Sequence, residues 1–279
     1  MIRSILLPID GSNYSESVLQ YGLFLGQKLD AVLRIITIID MRLFEWNMAA
    51  GADSFIPVVS TSEFRDETQQ MLEKKADSIL DKADEILSKS NLDYETQKIT
   101  GIPVDEICAH SKSNDLLVLG VRGEYERWTS HLLGSTAEAV TRQVHKPMML
   151  VDKKYDPFER IMCGYDGSES SNKSLQFAAF MAKTFNILLQ VLTVINSDEE
   201  REEILAEAGR YLEPYRVEYQ LRHEKGNAAD VLINAQNSAP FPTLLNMGSY
   251  GHSRLREAIL GSTTVQVMRK ANKPILLAK

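Results

Sequence analysis

The chain can be laid on itself. Residues 5–39, ILLPIDGSNYSESVLQYGLFLGQKLDAVLRIITII, align without a gap on residues 161–195, IMCGYDGSESSNKSLQFAAFMAKTFNILLQVLTVI. Further on, GSTAEAVTRQVHKPMMLV at 134–151 aligns on GSTTVQVMRKANKPILLA at 261–278. A repeat of this length, used twice, means two homologous domains and not a solenoid. The polar stretch Lys153–Glu159, which holds Pro157, is the seam, so the expected domains are 1–153 and 158–279.

Each half alternates short apolar runs with segments of helical period. Ile5–Ile9 ends in Asp-Gly-Ser, a turn and helix-start signal, and Val18, Leu19, Gly22 and Leu25 then follow at helical spacing. Val32–Ile39 is rich in β-branched residues and reads as a second strand. Residues 60–90 carry the clearest helix, with Ser60 and Glu63 as a capping box and Leu72, Ala76, Ile79, Leu80, Ala83, Ile86 and Leu87 at a period near 3.6. Tyr94–Ile99, Leu116–Leu119 and Met148–Val151 complete five strands, with helices at Pro103–Ser111 and from Thr136 onward. Strands alternating with helices predict an α/β fold: two doubly wound domains, each a five-stranded parallel sheet flanked by helices on both faces. Ligands of such sheets sit where strand ends carry loops into helices.

The halves differ between Asp10 and Gly101, where the first is longer than the second is between Asp166 and Gly226. The surplus includes MRLFEWNMAAGADSFIPVVS, whose Phe44, Trp46, Met48 and Phe55 are too apolar for a solvated linker. This segment either packs across a sheet edge or serves as a lid or partner surface.

After the fourth strand of each half stands a glycine motif: GVRGEYERWTSHLLGST at 120–136 and GSYGHSRLREAILGST at 248–263. A phosphate cradle needs backbone amides close to the anion, hence glycines, and a helix that begins at it. Gly248 closes an apolar strand, Gly251 turns the chain, and Gly261-Ser262-Thr263 opens a helix. Asp10 and Asp166 end the first strand of each half, where a carboxylate can accept from a ribose hydroxyl or a base amine, or simply cap a helix.

With these motifs, and the Lys-Pro before each last strand (KPMMLV, KPILLA), the chain resembles the universal stress protein family, specifically its tandem members, over nearly its whole length. The resemblance implies an adenine-nucleotide alpha-hydrolase-like fold and a regulatory protein that binds ATP or AMP, with or without Mg. Gly248, Gly251, Gly261 and Ser262 match the family's Gly-x2-Gly-x9-Gly-Ser pattern for nucleotide binding. By the same resemblance Asp166 faces the adenosine, Val194 lies against the adenine, and Thr263 adds a phosphate contact. The first half offers Asp10, Ile38, Gly120, Arg122, Gly123, Gly134 and Ser135, but one extra residue separates Gly123 from Gly134. The second site is therefore the better preserved. Single-domain members commonly dimerise, so the halves are expected to pair as an intrachain pseudo-dimer, with a homodimer of chains as a further level.

Other functions find less support. A net charge of −7 argues against a nucleic-acid surface, and no apolar run approaches the length of a membrane span. The apolar run near the N-terminus is too short for a secretion signal, and the two cysteines fit a reducing compartment, so a cytoplasmic location is expected. There is no G-x-x-x-x-G-K-[ST] or G-x-G-x-x-G motif and no metal-site spacing. No catalytic residue is assigned. The alternatives are a scaffold that binds no nucleotide and an enzyme that hydrolyses nucleotide slowly.

Overall fold

The structure, a computed structural model, describes residues 2–40, 42, 62–124, 133–249 and 260–279. The apolar segment 43–60, Ser60 of the expected capping box and Gly251 lie outside the described residues.

The first half runs β1 (Ser4–Pro8), α1 (Asn13–Leu29), β2 (Val32–Asp40), α2 (Ser62–Leu87), β3 (Tyr94–Gly101), α3 (Pro103–Ser111), β4 (Leu116–Gly120), α4 (Ser135–Gln143) and β5 (Met148–Val151). The second half repeats it as β6 (Arg160–Gly164), α5 (Glu169–Phe185), β7 (Leu189–Val194), α6 (Asp198–Leu212), β8 (Tyr219–Glu224), α7 (Ala228–Ser238), β9 (Thr243–Gly248), α8 (Ser262–Lys270) and β10 (Ile275–Ala278). The repeat extends to the caps. Ser12 and Ser168 cap α1 and α5 through their hydroxyls. Asp30 and Asn186 end the same helices in the left-handed conformation, at φ 51° and 54°. Asn and Asp tolerate that region better than other side chains.

The ten strands among the described residues form one sheet in the order β3-β2-β1-β4-β5-β10-β9-β6-β7-β8. Within each half the pairing is parallel, as expected from the alternation of strands and helices. The halves join through an antiparallel pair, Leu150 opposite Ile275 and Met148 opposite Leu277. Side chains alternate between the two faces with the strand period of two. Ile5, Leu7, Leu116, Val118, Met149 and Val151 face one core, under α1, α2, α5 and α6. Leu6, Leu117, Met148 and Leu150 face the other, under α3, α4, α7 and α8.

The first core is continuous across the seam. Phe158 stacks on Phe185 at 5.4 Å between centroids and meets Phe24 edge-on at 5.1 Å. Tyr21 packs edge-on against Tyr155 at 4.9 Å, and its hydroxyl donates to the Asp156 carbonyl at 2.8 Å. The stretch read from sequence as a polar connector is thus pinned by aromatic side chains of both halves. No described helix is long and apolar enough to cross a membrane.

Candidate functional site

In the first half a cavity of about 250 Å³ opens over the carboxyl ends of β1, β2 and β4. All seven residues expected at this site line it: Asp10, Ile38, Gly120, Arg122, Gly123, Gly134 and Ser135. They come from four separate elements, brought to one edge by the parallel pairing of β1 with β2 and β4.

Asp10 is held from three sides. Its Oδ1 accepts from the Ser12 amide at 2.9 Å and the Ser15 hydroxyl at 3.0 Å. Its Oδ2 accepts from the Glu124 amide at 2.8 Å, which ties the end of β1 to the loop after β4. Gly11 makes the turn at φ +77°, and its amide donates to Ser15 Oγ at 2.9 Å. The Asp-Gly-Ser sequence therefore builds a tight turn and also presents a carboxylate to the cavity.

The glycines have packing duties that the sequence does not reveal. A Cβ on Gly120 would stand 2.7 Å from Tyr14 Cβ and 2.8 Å from the Arg122 carbonyl oxygen. On Gly134 it would stand 3.1 Å from Arg122 Cα. These positions let the strand end, the first turn of α1 and the start of α4 close on each other, so the backbone is drawn to the cavity rim. Gly134 precedes α4 with no side-chain cap, unlike α1, α5 and α7, which are capped by Ser12, Ser168 and Asn227. Gly134, Ser135, Thr136 and Ala137 all face the cavity. First-turn amides without a capping side chain, at the positive end of a helix dipole, are donors suited to an anion.

The rest of the lining is largely apolar: Val18, Ile38 and Ile107 line the cavity together with Leu72, Ala76 and Ile79 of α2. The charged residues at the rim are paired. Arg42 binds Asp40, with Nη2 to Oδ2 at 2.6 Å. Burial raises the Asp40 carboxyl, but the hydrogen bonds and charge of Arg42 outweigh it and hold the pKa below the usual value. Lys75 pairs with Glu124, and Arg122 Nη1 donates to the Tyr14 hydroxyl at 3.4 Å. The apolar side chains thus suit a flat ring, and the uncapped start of α4 suits an anion.

The α2 contribution was not legible as a site. Leu72, Ala76 and Ile79 read from sequence as the core face of a helix, and no motif singles out Lys75. Their one signal was the extra length of this helix in the first half.

In the second half the corresponding residues also gather at the carboxyl edge. Asp166 follows β6, Val194 and Gly248 end β7 and β9, and β6 pairs with both of those strands. Asp166 Oδ1 accepts from the Ser168 amide at 3.0 Å, the same turn as at Asp10. Gly261, Ser262 and Thr263 start α8, again without a side-chain cap. The Gly261 amide donates to the Ser249 carbonyl at 3.2 Å, matching Gly134 to Val121 at 2.9 Å. Thr264 Oγ1 donates to the Gly248 carbonyl at 3.2 Å, closing β9 on α8. Gly251 lies outside the described residues.

Comparison with known proteins gives the same picture of a duplicated unit. The family model for the universal stress protein family matches residues 1–152 and, a second time, 157–279. A universal stress protein of Synechocystis sp. is 27% identical over 285 residues, covering 99% of each chain. One from Methanocaldococcus jannaschii is 27% identical over 157 residues, covering 55% of this chain and 84% of its own. Among solved structures, a universal stress protein from Archaeoglobus fulgidus shares the fold with a TM-score of 0.74 at 22% identity, covering 99% of this chain and 96% of that one. The chain belongs to the universal stress protein family and carries two of its domains in tandem.

Proposed function

We propose that the chain is a stress-response regulatory protein that binds an adenine nucleotide, ATP or AMP, at the carboxyl edge of each half. The observation that carries this reading is the first-half cavity, where all seven expected residues meet apolar side chains and an uncapped helix start. In this reading the adenine lies along Ile38, Asp10 accepts from the adenosine, and the amides of α4 with the Ser135 hydroxyl hold phosphate. The second half does the same through Val194, Asp166, Gly248, Gly251, Gly261, Ser262 and Thr263. Magnesium, when it accompanies ATP, would be carried by the phosphates, since Mg²⁺ commonly keeps several waters and few protein ligands.

The protein acts by binding rather than turnover, in the cytoplasm, with at most slow hydrolysis. Its domains are 1–153 and 158–279, joined through β5 and β10 as an intrachain pseudo-dimer. The antiparallel strand pair and the shared aromatic core support this arrangement.

Thermal unfolding with and without ATP tests the reading. A ligand that binds only the folded state stabilises it by about 2.7 kcal/mol at 100 times Kd. The midpoint is expected to rise with ATP and with AMP. An unchanged midpoint with either nucleotide at millimolar concentration contradicts it, and rapid phosphate release contradicts the non-enzymatic part.

A further inference from the structure

We propose that Lys75, delivered by α2, is a phosphate contact peculiar to the first half, and that Glu124 occupies it until an anionic ligand arrives. This rests on the nucleotide reading above and goes beyond the glycine motif, which holds Glu124 but not Lys75.

Lys75 and Glu124 both line the cavity, and they form an ion pair across its mouth. Their side chains are 45% and 44% exposed, so the pair is weak, in the range of about 0–1 kcal/mol for exposed pairs. It is therefore exchangeable. Glu124 directly follows Gly123, and its amide is bonded to Asp10, so its backbone is fixed in the glycine loop. A carboxylate anchored there, facing a lysine across the site, is an internal stand-in for an anion. A phosphate held by the first turn of α4 offers Lys75 more charge than Glu124 does, and an ammonium is a compact, rotatable point charge suited to that exchange.

The second half differs at this position. Ile79 lies beside Gly11, and Ile204 beside Gly167. Ala83 and Leu87 are fully buried, as are Ala208 and Leu212. The register shared by α2 and α6, carried back along the sequence, aligns Lys75 with Glu200. The sequence thus carries a lysine at this register in the first half and a glutamate in the second. It follows that the first half should favour the more highly phosphorylated ligand.

The test uses the full chain, with azido-ATP photolabelling to assign each nucleotide to a half and titration calorimetry with adenosine, AMP and ATP. Lys75→Met is expected to weaken first-half ATP binding by about tenfold, the size of one charge-assisted hydrogen bond, and to leave adenosine unchanged. Lys75→Arg should restore most of it, and Glu124→Gln should tighten ATP binding by roughly threefold. Equal losses for adenosine and ATP would show a merely structural role and overturn the proposal. Unchanged ATP affinity in both Lys75→Met and Glu124→Gln would also overturn it, leaving the nucleotide reading intact. A wild-type chain with nucleotide in neither half overturns both. Labelling of the second half alone overturns this proposal and the first-half site only.

Discussion

Gly123 and Asp10 meet with no side chain between them. A Cβ on Gly123 would stand 2.5 Å from Asp10 Oδ2, the oxygen that accepts the Glu124 amide at 2.8 Å. The carboxylate cannot swing aside freely, because its other oxygen is bonded to Ser12 and Ser15. The glycine therefore protects the position of an acceptor at the mouth of the cavity.

Gly123→Ala should separate binding from folding. The new methyl must shift a carboxylate bonded to Ser12, Ser15 and Glu124, so a cost of about 1–2 kcal/mol is expected, which leaves the chain folded. Nucleotide should be lost from the first half and retained in the second. Thermal melting and photolabelling of the same sample check the two parts.

Gly248→Ala should do the reverse. Its Cβ would stand 2.3 Å from Ser170 Oγ and 2.9 Å from the Ser170 carbonyl carbon and oxygen, and backbone atoms in the first turn of α5 cannot rotate away. A loss of about 1–3 kcal/mol is expected in urea denaturation even without nucleotide. A wild-type midpoint would mean that the close approach of β9 to α5 is not required.

The halves should unfold together. Phe158 is 3% exposed and packs against Phe24 of one half and Phe185 of the other. Phe158→Ala should cost about 3–5 kcal/mol, in keeping with truncation of buried aromatics. Calorimetry should show one transition for the wild type. Two resolved transitions in the wild type would contradict a shared core.

Alkaline pH should destabilise the fold. Burial raises the hydroxyl pKa of Tyr21 and Tyr165 above the usual 10.0, and burial pushes the Cys163 thiol up to about 12 from 9.0. A pKa raised by folding gives stability that is complete below the unfolded value and is lost as pH climbs toward the folded one. Stability should therefore decline from about pH 9 for the thiol and pH 10 for the tyrosines. Lys279 works the other way. Burial lowers its pKa to about 8 from 10.5, so its cost is relieved across that window. Urea midpoints between pH 8 and pH 11 check the net decline, which should be shallower in Tyr21→Phe.

Much of this fold was legible because the repeat shows itself twice. The Asp-Gly-Ser turns, the helical period of Leu72 to Leu87 and the apolar β4 each follow from local chemistry. The helix Pro103–Ser111 has the expected bounds, and α4 begins one residue earlier than expected. What sequence does not carry is long-range choice. Nothing local to Met148–Val151 or Ile275–Ala278 says that these strands pair antiparallel, because both are simply apolar on each face. The glycines read as openings for a ligand, while Gly120 and Gly248 also answer to Tyr14 and Ser170, residues far away in sequence. Lys75 was invisible as a site residue for the same reason: its relation to Glu124 exists only once α2 lies over the loop.

The central claim is that this chain holds an adenine nucleotide at the carboxyl edge of its sheet. A native mass spectrum of the purified full-length chain tests it most directly. Added mass matching ATP or AMP is expected, bound as purified or after addition, with the first-half share lost in Gly123→Ala. A spectrum showing only the bare chain at saturating ATP and AMP would contradict it.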